Sequence, residues 1–209
     1  MARELDFRLY VISDRKLCAP RVIALILKQA AQAGVKAVQL REKDLTPVEL
    51  FRMAEDVQDC CSRYGTKLLI NDRADVAAAV GAAGVHLTEH SMPAAAARRI
   101  LGDEALIGVS AHHEEGVRAA EGDGADFVML GPVFQSPSHP RVPPLGLHAF
   151  EKLVSQTRVP VFALGGVTPE NVAQCLAAGA AGVATISAII GAKSVRSAVR
   201  AFKREMGAL

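Results

Sequence analysis

The sequence predicts an α/β chain folded as one (β/α)8 barrel over residues 1–209. Three observations carry that prediction. First, one phrase recurs: a helix ends in small residues and glycine, and an apolar run follows. It appears as AQAGVKAVQL (31–40), VGAAGVHL (80–87), EGDGADFVML (121–130) and LAAGAAGVATIS (176–187). Second, eight short apolar runs can be placed along the chain, with helical patterns between most of them. Third, half of the chain is apolar, yet only 4% is aromatic and Trp is absent. Such a composition suits a buried parallel sheet wrapped by Ala-rich helices.

The strand candidates are FRLYVIS (7–13), KAVQLR (36–41), KLLIN (67–71), GVHL (84–87), LIGVS (106–110), DFVMLG (126–131), VPVFALG (159–165) and GVATIS (182–187). In each recurring phrase the glycine supplies a left-handed helix cap and the next run makes a strand. The clearest helix is PVELFRMAEDVQDCCSRYG (47–65), with Val48, Leu50, Phe51, Met53, Ala54 and Val57 clustered on one face. Helices are also predicted over 93–102, 171–179 and 194–206. Thr168 and Pro169 read as an N-cap followed by proline at the first helical position. A doubly wound open sheet is the rival architecture, and the strand count favours the barrel.

The formal net charge of +2, with both signs interspersed, excludes a polybasic nucleic-acid surface. No apolar run reaches the roughly 20 residues of a membrane helix. MARELDFRLYVIS at the start has charges where a signal peptide carries its apolar segment. A cytoplasmic protein with neither membrane nor nucleic acid as partner is therefore expected. Cys18, Cys60, Cys61 and Cys175 have neither zinc-site spacing nor a CxxC pair, and read as free thiols.

A barrel of this kind gathers function where strands end and the following loops begin. Strand two runs into Gln39, Arg41, Glu42 and Lys43, and strand three ends in Asn71 and Asp72. Strand four carries His86, followed by Glu89, His90 and Ser91; strand five gives Ser110, His112 and His113. Strand six enters GPVFQSPSHPRVPPLG (131–146), with Ser136, Ser138, His139 and Arg141, and strand eight ends near Ser187. Strand seven ends in Gly165 and Gly166, whose backbone N–H groups suit a phosphate at the place where these barrels often bind one.

Each has a bland alternative. Arg41 and Lys43 also fit a solvated charge cluster, and Asp72 fits a cap on the helix DRADVAAAV. His86 lies within an apolar run and reads as a packed histidine. One of His112 and His113 belongs in the mouth, and a helix-start role suits the other. The 136–146 loop is either a rigid surface connection or a partial lid. The two cations, the carboxylates and the glycine turn together suit a substrate with more than one phosphate group. A departing pyrophosphate needs its charge neutralised by magnesium, Arg or Lys.

These residues resemble the thiamine-phosphate synthase family, which also contains the thiazole tautomerases (TenI-like). The carrying segments are VQLREKD (38–44), LLINDRADVAAAVGAAGVHL (68–87), IGVSAHH (107–113), GADFVMLGPVF (124–134) and FALGGVTPENVAQCLAAGAAGVATISAI (162–189). The resemblance implies a TIM barrel that joins hydroxymethylpyrimidine pyrophosphate to hydroxyethylthiazole phosphate, using Mg2+ and releasing pyrophosphate. It implies that Gln39, Arg41 and Lys43 face the pyrimidine pyrophosphate, and that Asn71 contacts the pyrimidine side. Asp72 matches a magnesium ligand and Ser110 a pyrophosphate contact. Gly166, with Ile186 and Ser187, matches the cradle for the thiazole phosphate. The family also implies a homodimer.

Two positions depart from the synthase pattern. HLTEHS replaces HLGQED, so Ser91 stands where a second magnesium carboxylate is expected, with Glu89 the candidate substitute. Ser138-His139 replaces a Thr-Lys pair in the strand-six loop. His139 would replace that lysine only when protonated. These losses favour a tautomerase, which needs no metal and matches His112 as its histidine after strand five. Arg41, Lys43, Asn71 and Asp72 favour the synthase. A phosphate-binding barrel without catalysis is the third reading.

Overall fold

A computed structural model describes residues 5–136 and 141–207. Eight parallel strands close into a barrel in sequence order, β1 pairing with β2 on one side and β8 on the other. The strands are β1 (Leu9–Ile12), β2 (Ala37–Leu40), β3 (Lys67–Asn71), β4 (Gly84–Leu87), β5 (Leu106–Ala111), β6 (Phe127–Leu130), β7 (Val161–Leu164) and β8 (Gly182–Thr185). All eight fall on the predicted runs, and closure removes the open-sheet alternative.

The helices are α1 (Arg15–Cys18), α2 (Ile23–Gln32), α3 (Pro47–Ser62), α4 (Ala74–Ala79), α5 (Ala94–Leu101), α6 (Glu114–Gly122), α7 (Leu147–Val154), α8 (Val172–Ala177), α9 (Ser187–Ile190) and α10 (Val195–Glu205). None of the described helices is long and apolar enough to cross a membrane. Cys18, Cys61 and Cys175 are buried, Cys60 is half-buried, and all four are free thiols.

Side-chain alternation along each strand builds two cores. One lies between strands and helices, with Val11, Val38, Ile70, Val85 and Val183 meeting Leu27, Val57 and Phe202. The other fills the barrel, with Phe7, Tyr10, Leu69, Phe127, Met129 and Phe162 among its members. Phe7, Phe127 and Phe162 form a ring cluster with centroids 5.4–5.9 Å apart, and Tyr10 joins it. Small residues opposite the rings make the room. A Cβ on Gly182 would lie 2.5 Å from Cε1 of Phe162. The rings plug the barrel and leave the strand C-termini as the open end.

One helix start differs from expectation. Thr168 and Pro169 lie in a turn, and α8 begins at Val172 with Asn171 at its N-cap. The Thr168 carbonyl accepts from both Asn171 N and Val172 N, while Asn171 Oδ1 takes the Thr168 N–H at 2.8 Å. Asn171 Nδ2 donates to the Gly166 carbonyl at 3.0 Å. The asparagine therefore closes the turn that the threonine had suggested.

Candidate active site

The end of β2 is organised by Glu42, a strand-end residue to which sequence reasoning assigned no specific role. Glu42 is 7% exposed. It accepts from Ser13 Oγ at 2.6 Å and from the Arg15 backbone N–H at 3.1 and 3.2 Å. Ser13 Oγ in turn accepts the Arg41 N–H at 2.8 Å. Burial raises the Glu42 pKa, and the Ser13 and Arg15 hydrogen bonds oppose the rise. This network holds the Arg41 backbone and the Glu42 carboxylate at the strand end, between the two cations. Its signal in the sequence, a Glu between two cations, looks like ordinary surface charge.

Arg41 is half-buried and Lys43 exposed, and neither forms an ion pair among the described residues. The neighbouring Arg41 charge, followed by desolvation, lowers the Lys43 pKa, with Asp72 pulling the other way. Two cations that repel each other and form no ion pair among the described residues suit an anion.

These cations share a cavity of about 220 Å3 with Gln39, Asn71, Ser110, His112 and Ile186. Glu89, His86 and His90 also line it. A second cavity of about 200 Å3 holds Ser136, Gly165, Gly131 and Val142, and shares His112, Leu164 and Ile186 with the first. The pyrophosphate-side and glycine-turn residues therefore lie in adjoining spaces at one mouth. Gly166 and Ser187 line neither space. Ser138 and His139 lie outside the described residues.

Near the mouth the inner wall turns polar. Gln39 Nε2 donates to Asn71 Oδ1 at 2.9 Å, and Gln39 Oε1 is buried without a partner among the described residues. His86 Nε2 and Ser110 Oγ are 2.9 Å apart. Burial, with a smaller push from Arg41, lowers the His86 pKa to about 3, so the ring is neutral. His112 Nδ1 contacts the Gly131 carbonyl oxygen. A carbonyl only accepts, so Nδ1 carries a hydrogen, and the neutral form of the ring keeps its lone pair on Nε2. His113 instead caps α6, accepting from Gly116 N at 3.1 Å.

Asp72 has φ +63°, the left-handed region rarely adopted by a residue with a side chain. Its N–H donates to the His86 carbonyl at 2.8 Å. It does not cap α4, whose N-cap is Arg73. It lines a groove with Lys43, Asn71 and His90. Glu89 stands 3.7 Å from His113 Nε2, towards the β5 side. Ser91 Oγ is occupied by Thr88, taking its N–H at 2.8 Å. Among the described residues no three His, Cys, Asp or Glu side chains gather as a metal cage. Mg2+ commonly takes one or two carboxylates and completes its shell with water and substrate phosphate. Asp72 fits that role because it has no side-chain hydrogen bond among the described residues and stands beside the cation corner.

The glycine turn has a packing reason besides any ligand. A Cβ on Gly165 would lie 2.4 Å from Pro132 Cβ, and one on Gly166 would lie 2.4 Å from the Gln135 carbonyl oxygen. Their φ values are +93° and +64°. The β6 loop thus lies directly on the turn, with Phe134 N–H donating to Gly165 O at 3.0 Å.

An eight-stranded barrel whose open end joins an unpaired cation corner to a glycine-lined cavity defines a phosphate-handling enzyme. The chain belongs to the thiamine monophosphate synthase family (TMP-TENI), whose model matches residues 9–189. A Geobacter sulfurreducens relative, provisionally named a thiamine-phosphate synthase, is 46% identical over 199 residues, covering 95% of this chain and 93% of the relative. A Chloroflexus aurantiacus thiamine-phosphate synthase is 37% identical, covering 96% and 93%. The solved thiamine phosphate pyrophosphorylase from Pyrococcus furiosus superposes with TM-score 0.87 at 33% identity, covering 96% of each chain.

Proposed function

We propose that the chain is a thiamine-phosphate synthase, a transferase that condenses hydroxymethylpyrimidine pyrophosphate with hydroxyethylthiazole phosphate or its carboxylate. The observation carrying this reading is the unpaired Arg41–Lys43 corner, sharing a cavity with His112 and Ile186 next to the Gly165 cavity. The family relationship supports it.

In this mechanism the bond between the pyrimidine methylene carbon and pyrophosphate oxygen breaks first, and both electrons leave with the oxygen. Arg41, Lys43 and Ser110 face the growing charge, where charged donors act most strongly in a partly dry site. Gln39 and Asn71 hold the pyrimidine. Gly165 and Ile186, together with Ser136, line the cavity that would take the thiazole phosphate, and Gly166 and Ser187 follow the first two in sequence without lining it. The thiazole nitrogen then attacks the pyrimidine carbon, forming the C–N bond without a proton transfer. Asp72 would hold Mg2+, which supplies further charge neutralisation to the pyrophosphate when bound. Glu89 would join it only by turning from His113.

The same reading treats residues 1–209 as one domain, located in the cytoplasm and assembled as a homodimer. Its partners are the two small phosphates. The test supplies both substrates with and without Mg2+. Native protein is expected to make thiamine phosphate only with the metal, and Asp72→Ala to abolish turnover. Metal-independent synthesis would count against Asp72 as the metal ligand.

One observation favours a tautomerase reading: His112 lines the cavity with Nδ1 tied to the Gly131 carbonyl, so a neutral ring turns its basic Nε2 elsewhere. It could take a proton from a thiazole carboxylate phosphate without metal. On that reading isomerisation proceeds in chelator and falls at least about a hundredfold in His112→Ala. Unchanged isomerisation in the variant removes this role.

A further inference from the structure

The His86–Ser110 contact says more than that both residues lie near the mouth. His86 is 1% exposed, with Tyr10 and Phe127 rings centred 6.2 and 5.8 Å from its own. Gly108 on β5 leaves no spare room: a Cβ there would stand 2.6 Å from His86 Nδ1 and 2.3 Å from Phe127 Cζ. The imidazole is therefore held in one place by packing on both sides. Its two nitrogens have unequal surroundings. Nε2 is 2.9 Å from Ser110 Oγ, whereas Nδ1 is buried with no partner among the described residues.

A neutral imidazole carries one N–H, and its position decides what Ser110 can do. With hydrogen on Nδ1, a buried donor would be orphaned and the Ser110 hydroxyl would donate inward. With hydrogen on Nε2, the donor is satisfied and only a lone pair is left bare at Nδ1. Orphaned buried N–H groups are rarer than under-satisfied acceptors. The second arrangement is therefore favoured. Ser110 Oγ then accepts from the ring, and its own hydrogen turns elsewhere. No other acceptor among the described residues takes it, and Ser110 lines the cavity of Arg41 and Lys43.

We infer that His86 is a positioning residue which, as the Nε2–H tautomer, commits the Ser110 hydroxyl to donate towards an anionic oxygen in the Arg41–Lys43 corner. It touches no reacting atom. It converts a freely rotating hydroxyl into an aimed donor beside the two cations. The inference rests on the pyrophosphate reading of that corner. It adds the identity of the donated hydrogen and the residue that fixes it.

Two measurements test it. Nitrogen-15 NMR of histidine-labelled native protein reads the tautomer without substrate. The expected spectrum has His86 Nε2 protonated and Nδ1 bare; the reverse assignment overturns the inference. Calorimetry with inorganic pyrophosphate and Mg2+ reads the consequence. His86→Leu and Ser110→Ala are each expected to weaken binding roughly fivefold to tenfold, and the double variant no more than either alone. His86→Gln, whose amide N–H reaches near the former Nε2, is expected to recover most of the loss. Additive losses, or equal losses in the Leu and Gln variants with unchanged thermal melting, would refute positioning. Absence of pyrophosphate binding by native protein would remove the synthase reading and the proposed target of Ser110, while the spectrum would still decide the His86 tautomer.

Discussion

At the scale of single residues, the cation corner makes the sharpest demands. Arg41 lowers the Lys43 pKa, so the ammonium deprotonates at a lower pH than an ordinary lysine. The cationic form is needed to hold an anion. The alkaline limb of the kcat/KM profile should therefore fall early. In Arg41→Gln the remaining activity should show that limb displaced to higher pH, and an unmoved limb would dissociate Lys43 from it. Asp44 makes a separate stability prediction. Hydrogen bonds from Lys16 and then Arg15 lower its pKa from 3.8 to about 2. Its stabilising contribution is present above the unfolded value and is lost as pH falls through the folded one. Denaturant titrations between these limits should show the loss in native protein and not in Asp44→Asn, with salt shrinking the difference. The strand-end positions of Arg41, Lys43 and Asn71 were legible because alternation and chain order reveal them. The Ser13–Glu42 link was not, because it joins two strand ends 29 residues apart. Asp72's positive φ likewise depends on the finished turn.

At the scale of elements, the loop after β2 is tied to α3 by a capping box. Thr46 N–H donates to Glu49 Oε2 at 2.8 Å, and Glu49 N–H donates to Thr46 Oγ1 at 3.4 Å. Thr46→Ala should cost about 1 kcal/mol in a denaturant titration. Gly84→Ala should cost more, at least about 2 kcal/mol, because its Cβ would lie 1.9 Å from the Leu106 carbonyl oxygen. A neutral Gly84 variant would contradict the close strand approach. The strands were readable as short apolar runs, four of them announced by a preceding glycine cap. The short α8 was harder: a Thr-Pro start signal precedes an Asn that accepts the Thr168 N–H. Local capping preferences do not rank these alternatives once Gly166 also needs a partner for its carbonyl.

At the scale of the whole molecule, barrel closure makes distant sequence segments into one mouth. The aromatic plug closes its lower interior, while the upper wall exchanges rings for Gln39, Asn71, His86 and Ser110. Eight-unit periodicity made the fold and its active end legible before any contact was known. It did not reveal that Glu89 faces His113 or that Ser91 is spent on Thr88. Those orientations arise from loop packing and decide how many carboxylates are free for a cation. The most direct test is a simultaneous count of pyrophosphate and thiamine phosphate formed by native protein from the two substrates with Mg2+. The proposed chemistry predicts equal amounts, with Arg41→Ala reducing both together. Neither product from folded native protein, or metal-independent tautomerisation as its sole turnover, would contradict the synthase assignment.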